Sequence, residues 1–359
     1  MKRHAFSLVE LMASMTIISV LLLMLVGMTE GASKTWRDGR TKVEQFREAR
    51  VAFDAMTRRL SRATLNTYWD YQYAADDVKK ERAPVAYLRQ SELRFRTGRM
   101  DRLLSNGTHY RPTSGIFFQA PLGIVEDGDF DTMDRLLNST GFFLEIGDDR
   151  EFIPEMLQSR VKTRVRSRLL QFDKPAEQLA VYQLQPGVPN DTWFTKSIEG
   201  KDRPVRVIAE NILALVILPK LSQADEIARE KTGGKALCPK FDYDSTRVSN
   251  HEPPLNPPDP DINPHNQLPP VVMVSMFAID EDSAQRLEEM AGGDPHLGLD
   301  TQSIFQDAAK LENRKSSSGK QSGDLSAFEQ QLLDRKLKYR LFSTSVALRG
   351  AKWSRAQTQ

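Results

Sequence analysis

Glu10 is the residue whose chemistry most needs explaining. It sets a carboxylate inside a nearly unbroken apolar run from Phe6 to Met28, and a charge at membrane depth costs roughly 2.5 to 3.5 kcal/mol on insertion scales. Such a group requires a partner of opposite charge, which implies assembly with another chain. Three Asp-x-Asp pairs, Asp242 with Asp244, Asp259 with Asp261 and Asp280 with Asp282, offer the hard oxygen donors that calcium prefers. They lack the glycine and terminal glutamate of an EF-hand, so solvated loop carboxylates are the simpler reading and no metal site is assigned. The histidines, His4, His109, His251, His265 and His296, are scattered. Two of them, His251 and His265, fall in a proline-rich stretch that offers no rigid element to fix a zinc ligand or a general base. Cys238 is the only cysteine, which excludes an internal disulfide and any multi-cysteine metal site. No His-Glu-x-x-His, Gly-x-Ser-x-Gly or Cys-x-x-Cys pattern occurs, and Thr232-Gly233-Gly234-Lys235 lacks the spacing of a phosphate-cradling loop. No catalytic residue is assigned, and the chain is expected not to be an enzyme.

The apolar run has roughly 23 residues and, at about 1.5 Å per helical residue, covers roughly 34 Å, enough to cross the hydrocarbon core. An ordinary secretory signal has an apolar stretch of only about 7 to 15 residues. Here Met1-Lys2-Arg3-His4 and the small Ala5 precede Phe6-Ser7-Leu8-Val9-Glu10. That pattern resembles the class III signal of type IV prepilins and type II secretion pseudopilins. The resemblance implies that a prepilin peptidase cuts between Ala5 and Phe6 and methylates the new amino group of Phe6. It also implies that Glu10, fifth in the mature chain, faces the amino terminus of a neighbouring subunit, and that an inner-membrane platform assembles the subunits. Ala5 stands where the family usually has Gly, which predicts slower processing at worst. The calcium sites of major pseudopilins give the acidic pairs above their one route to a cofactor.

Charge counting and motif disagree about orientation. Lys2 and Arg3 precede the span, whereas Lys34, Arg37, Arg40 and Lys42 come after it, and basic residues favour the cytoplasmic side. We give the motif precedence. It implies a single-pass inner-membrane protein with a cytoplasmic leader and the C-terminal body in the periplasm. The charge balance, 50 basic against 48 acidic residues, suggests no nucleic-acid partner.

The elements that must carry these residues are legible in the periodicity. Residues 1–5 form a leader, 6–28 the membrane and assembly helix, and 29–66 its amphipathic continuation, with Val43, Phe46, Arg50, Phe53, Met56 or Thr57, Leu60 and Thr64 on one stripe. Residues 67–359 form a β-rich body. Strands are predicted over 92–97, 115–121, 141–146, 169–172, 180–184, 205–218 as two strands or one bent strand, 271–279 and 339–348. Short helices are predicted over 282–290 and 327–338, the second opened by Ser326. Proline and glycine in 223–270, and the Lys315–Lys320 serine tract within 292–322, predict two long disordered insertions, with Cys238 exposed in the first. The fold class is α+β and pilin-like: one long helix laid on antiparallel sheet. The layout of the body resembles the J-class minor pseudopilins and the prepilin-like proteins of multi-pilin cassettes in Verrucomicrobia.

Together these observations describe a non-enzymatic minor pilin or pseudopilin subunit of a type II secretion or type IV pilus-like filament. The alternative is a membrane-anchored binding or hydrolytic protein that uses a pilin-like N-terminus only as an anchor.

Overall fold

The computed structural model describes residues 12–29, 46–76, 79–104, 109–130, 132–158, 160–161, 163–179, 181, 191–200, 202–294, 296–311, 314–315 and 321–354. The chain divides into two compact units, residues 1–47 and 48–359.

In the first unit, α1 (Met12–Thr29) is an 18-residue helix of mean hydropathy 2.1, none of it buried. It is apolar because Leu21, Leu22, Leu23, Leu25 and their neighbours succeed one another on every face. Its hydroxyls do not break the surface. Thr16 donates to the Met12 and Ala13 carbonyls, Ser19 to Met15 and Thr29 to Leu25 and Val26, so these polar groups are satisfied within the helix.

The second unit starts one residue into α2 (Arg47–Leu60), at Glu48. Its inward residues Ala49, Ala52, Phe53, Met56 and Leu60 are buried at three- and four-residue steps. The stripe therefore passes through Ala49, while Arg50 lies in solvent. Next come β1 (Tyr68–Gln72), β2 (Ala86–Gln90), β3 (Arg96–Arg99), the single-turn α3 (Met100–Leu103), β4 (Ser114–Pro121) and β5 (Leu137–Asp148). Then come α4 (Glu155–Gln158), β6 (Val165–Lys174), α5 (Thr192–Glu199), β7 (Val205–Glu210), β8 (Ile212–Lys220) and α6 (Gln223–Lys231). The chain ends with β9 (Tyr243–Asp244), β10 (Val271–Ile279), α7 (Glu281–Ala291), β11 (Arg314–Lys315), β12 (Gln321–Ser322), α8 (Asp324–Asp334) and β13 (Tyr339–Ala347).

All strand pairings are antiparallel. A six-stranded sheet has the order β7-β6-β5-β4-β3-β9, a three-stranded sheet the order β13-β10-β8, and β1-β2 and β11-β12 are separate ribbons. The two larger sheets are joined at Asn211, whose left-handed φ of 61° ends β7 and starts β8. Asparagine tolerates that conformation better than most residues. The Asn211 amide nitrogen donates to the Ser167 carbonyl and its side chain to Glu281, so the corner is fixed from both sides. One apolar run thereby serves two sheets, as the bent-strand expectation for 205–218 allows. Beyond the corner β8 packs on the larger sheet: the Ser167 hydroxyl donates to the Ile212 carbonyl and Leu215 N–H to the Thr113 hydroxyl.

The aromatic centre of the large sheet lies under α5. Phe194 stacks on Phe117 at 3.9 Å between ring centroids, with Trp193 edge-on to both. Gly141 makes room for this cluster, because a Cβ there would collide with the Phe117 ring. On the other side of the body α2 sets Phe53 against Phe342 of β13, 5.8 Å between centroids, and Arg59 grips Asp173 of β6 at 2.9 and 3.1 Å. The fold is α+β, with helices on antiparallel sheet.

Three local expectations need correction. Segment 223–270 is folded over most of its length, not an open loop. Leu237, Cys238, Phe241, Tyr243, Ile262 and Leu268 are buried within it, β9 completes the large sheet, and Tyr243 donates its hydroxyl to the Gln267 carbonyl. Its prolines cluster between apolar anchors, and Pro253, Pro254, Pro257, Pro258 and Pro260 are exposed to solvent. Segment 292–322 likewise buries Leu297, Leu299, Ile304, Phe305 and Leu311, with Phe305 against Phe328 of α8; the serine tract at 316–320 lies outside the described residues. Finally, α8 starts at Asp324 after Gly323, ahead of the Ser326 cap the sequence suggests. The strand expected at 180–184 lies outside the described residues except for buried Val181.

Candidate functional site

The residues on which the N-terminal motif rests, Ala5, Phe6 and Glu10, lie outside the described residues, as does Val43 of the predicted stripe. Immediately beyond Glu10 in the chain, α1 starts at Met12 and presents Leu21, Leu23, Met24, Leu25 and Met28 with more than half of each side chain exposed. At about 1.5 Å per residue its 18 residues span about 27 Å, close to the full hydrocarbon thickness before the preceding residues are counted. A helix apolar on every face and exposed on all of them is suited to lipid or to a bundle of like helices.

Residues 1–26 match the family model described as the prokaryotic N-terminal methylation motif. The N-terminus is a prepilin-type signal. The motif implies processing by a prepilin peptidase and assembly with other pilins. With α1, the one helix of membrane length among the described residues, it supports a membrane-anchored protein of the type IV pilin-like or pseudopilin kind. No curated protein and no solved structure matches the chain.

In the body, the acidic pairs and the histidines are the groups with potential chemistry. Arginines hold most of the acidic residues. Arg229 donates to Asp259 at 2.6 Å and Asp261 at 3.0 Å, and those bonds tie α6 to the proline turn. Arg96 pairs with Asp242 and Asp191, and Arg247 reaches both Asp242 and Asp244. Asp280 caps α7 through the Ser283 N–H and faces Lys338 at 3.6 Å. The pairs are thus distributed among separate ion pairs and a helix cap, and they do not converge on one cation. Nearby, Arg96 is almost fully buried; burial lowers its pKa, but Asp242, Asp191 and Asp244 outweigh that and raise it.

One group not anticipated from sequence brings His109, Glu145 and Glu151 together. Glu145 is nevertheless already bound, accepting from Arg203 at 2.7 and 3.0 Å and from Arg111 at 3.0 Å. Burial pushes its carboxyl up, but the two guanidiniums outweigh that and hold it below the usual value. A cation would have to displace two buried arginines, so this is a structural ion network. Its residues come from three separate stretches, 109–111, 145–151 and 203, in no recognised metal-binding spacing, so the sequence did not announce it.

The remaining described candidates stand in separate environments. Cys238 is buried and its thiol is pushed well up by desolvation, the opposite of a reactive cysteine. His251 contacts the Ala236 carbonyl at 2.9 Å. His265 is partly buried, which lowers its pKa, and it shares no cluster with His251. Of the basic residues of α2, Arg59 is held by Asp173 and Arg58 by the Asp54 carbonyl of its own helix, while Arg47 and Arg50 are exposed; Arg62, just past the helix, donates to the Pro121 carbonyl.

Proposed function

We propose that this chain is a structural, non-enzymatic minor pilin or pseudopilin of a type II secretion or type IV pilus-like filament. It is processed before Phe6, methylated there, and assembled through Glu10 and α1 with the body outside the inner membrane. The observation that carries the reading is one conjunction: a methylation motif over residues 1–26 takes in most of a fully exposed apolar helix, Met12–Thr29, and the chain then forms a separately packed body. Glu10 needs a buried positive charge, and the processed amino group of Phe6 on a neighbour supplies one per subunit. Binding and hydrolysis as the main role find less support, since the acidic and histidine candidates of the body are spread over ion pairs, a helix cap and single contacts.

The test combines processing with assembly. In cells with an active prepilin peptidase, intact-mass measurement should give a chain starting at Phe6 and carrying one methyl group. Glu10→Gln should leave the body folded and the protein membrane-bound while abolishing recovery in filament fractions. A start near Ser33, or a Glu10→Gln protein that assembles as the wild type does, overturns the reading in favour of a plain anchor.

A further inference from the structure

The sheet edges of the body are treated unequally. The large sheet ends on one side at β9, only two residues long, and on the other at β7, which exposes Arg206 and Glu210 and is bulged against β6 at Leu169/Leu170. Shortness, charge and bulges are the devices by which sheets avoid pairing with other chains. The β13 edge of the three-stranded sheet is less guarded, its one charged residue being the exposed Arg340 next to its start. It is nine residues long, and its register with β10 is unbroken from Val271↔Ala347 to Ile279↔Tyr339. From Leu341 to Ala347 it carries no charge and no proline. Among the described strands it pairs with β10 alone.

Its burial pattern shows where the edge is open. Ser343, Thr344 and Ser345 are three consecutive exposed residues in mid-strand, so both pleat faces reach solvent there. Thr344 shares a face with Phe342 and Val346, and although α2 meets Phe342 through Phe53, it leaves Thr344 uncovered.

We propose that β13 is a strand-pairing surface whose partner is β13 of a second copy of this chain, antiparallel about a two-fold axis at Thr344. The residues fit themselves in that register. Phe342 falls opposite Val346, Ser343 opposite Ser345, Leu341 opposite Ala347 and Thr344 opposite its own equivalent. Aromatic with β-branched, serine with serine and threonine with threonine are stabilising cross-strand pairs, and no like charges meet. A two-fold contact uses the same patch on both copies and closes on itself. It is therefore a pairing of bodies distinct from the open-ended contact through α1 that a filament requires.

The test uses the full-length protein in detergent, with mass measured by light scattering over a concentration series. The wild type should pass from monomer to dimer as concentration rises. Thr344→Lys sets two lysines opposite each other at the axis and should raise the dimer dissociation constant roughly tenfold, without changing the unfolding midpoint of an exposed site. Mixing Thr344→Lys with Thr344→Glu should restore a heterodimer. A second variant keeps the test independent of that substitution: Ser343→Glu combined with Ser345→Lys places opposite charges in register and should tighten the dimer. A wild type that stays monomeric throughout overturns the proposal. Association undiminished in Thr344→Lys does so too, since it would then run through α1 or another surface, and so does a mixture that fails to restore pairing.

Discussion

Cys238 shows how far a single residue's environment can depart from what its neighbours in sequence suggest. The glycines, prolines and charges around it predict an exposed thiol, yet it is buried beside Asn250, with its pKa pushed well up by desolvation. A membrane-impermeant maleimide should therefore leave the folded protein unlabelled whichever side of the membrane the body occupies, and should react only after denaturation. Rapid labelling of native protein would show that segment 223–270 opens. Gly141 makes a second residue-level case. The reason for a glycine in a predicted strand is invisible in sequence, because the ring it accommodates belongs to Phe117, on the neighbouring strand β4. Gly141→Ala should cost about 1 to 3 kcal/mol by overpacking, read as a lower midpoint in urea. No loss of stability would mean that the aromatic cluster under α5 is loosely packed.

At the scale of elements, the parts with strong periodicity were legible: α2, β4 through β8, β10, α7 and β13 all form where alternation or three-to-four spacing places them. What escaped were elements defined by their partners. The ribbon β1-β2 exposes Trp69, Tyr71 and Tyr87 and has no apolar alternation to announce it, while α5 comes after a stretch of glycine, proline and asparagine that reads as a loop. Arg50 and Ala49 illustrate a finer limit, because a stripe inferred from large residues misses a small residue that faces the core. Electrostatic fastening is equally partner-defined. Glu281, in the first turn of α7, accepts from Arg166 at 2.7 Å, Arg164 at 3.2 Å and Asn211 at 2.9 Å. Its pKa is lowered from 4.5 to about 2, first by the Arg166 hydrogen bond and then, against a desolvation penalty, by Asn211 and the charges of Arg166 and Arg164. A folded-state pKa below the unfolded one gives stability that is complete above about 4.5 and is lost as pH falls towards about 2. The side chain is half exposed, so solvent screening keeps the effect small. Glu281→Gln should flatten the dependence of unfolding midpoint on pH within that window and leave it unchanged above about pH 6. An unaltered acid limb in the variant would show that other carboxylates carry it.

For the whole molecule, the division at residue 47 makes two separable demands. The first unit needs a nonpolar or helical environment, since every residue of α1 is exposed. The second has its own core, from Met56 and Leu60 of α2 through Phe117, Phe142 and Phe172 to Val274 and Phe277. Deleting residues 1–31 should therefore yield a soluble body that unfolds cooperatively, and calorimetry would detect failure as aggregation without a transition. The side of the membrane on which that body lies is where motif and charge count conflict, and burial of the native thiol removes the obvious probe. It also provides a clean background for another. Met156 is 80% exposed, so Met156→Cys adds one reactive thiol to a chain whose own cysteine is silent. In intact cells with a permeable outer barrier, an impermeant maleimide should label this variant and not the wild type. Labelling that appears only once the inner membrane is broken would place the body in the cytoplasm, and Lys34, Arg37, Arg40 and Lys42 would then outweigh the leader in setting topology.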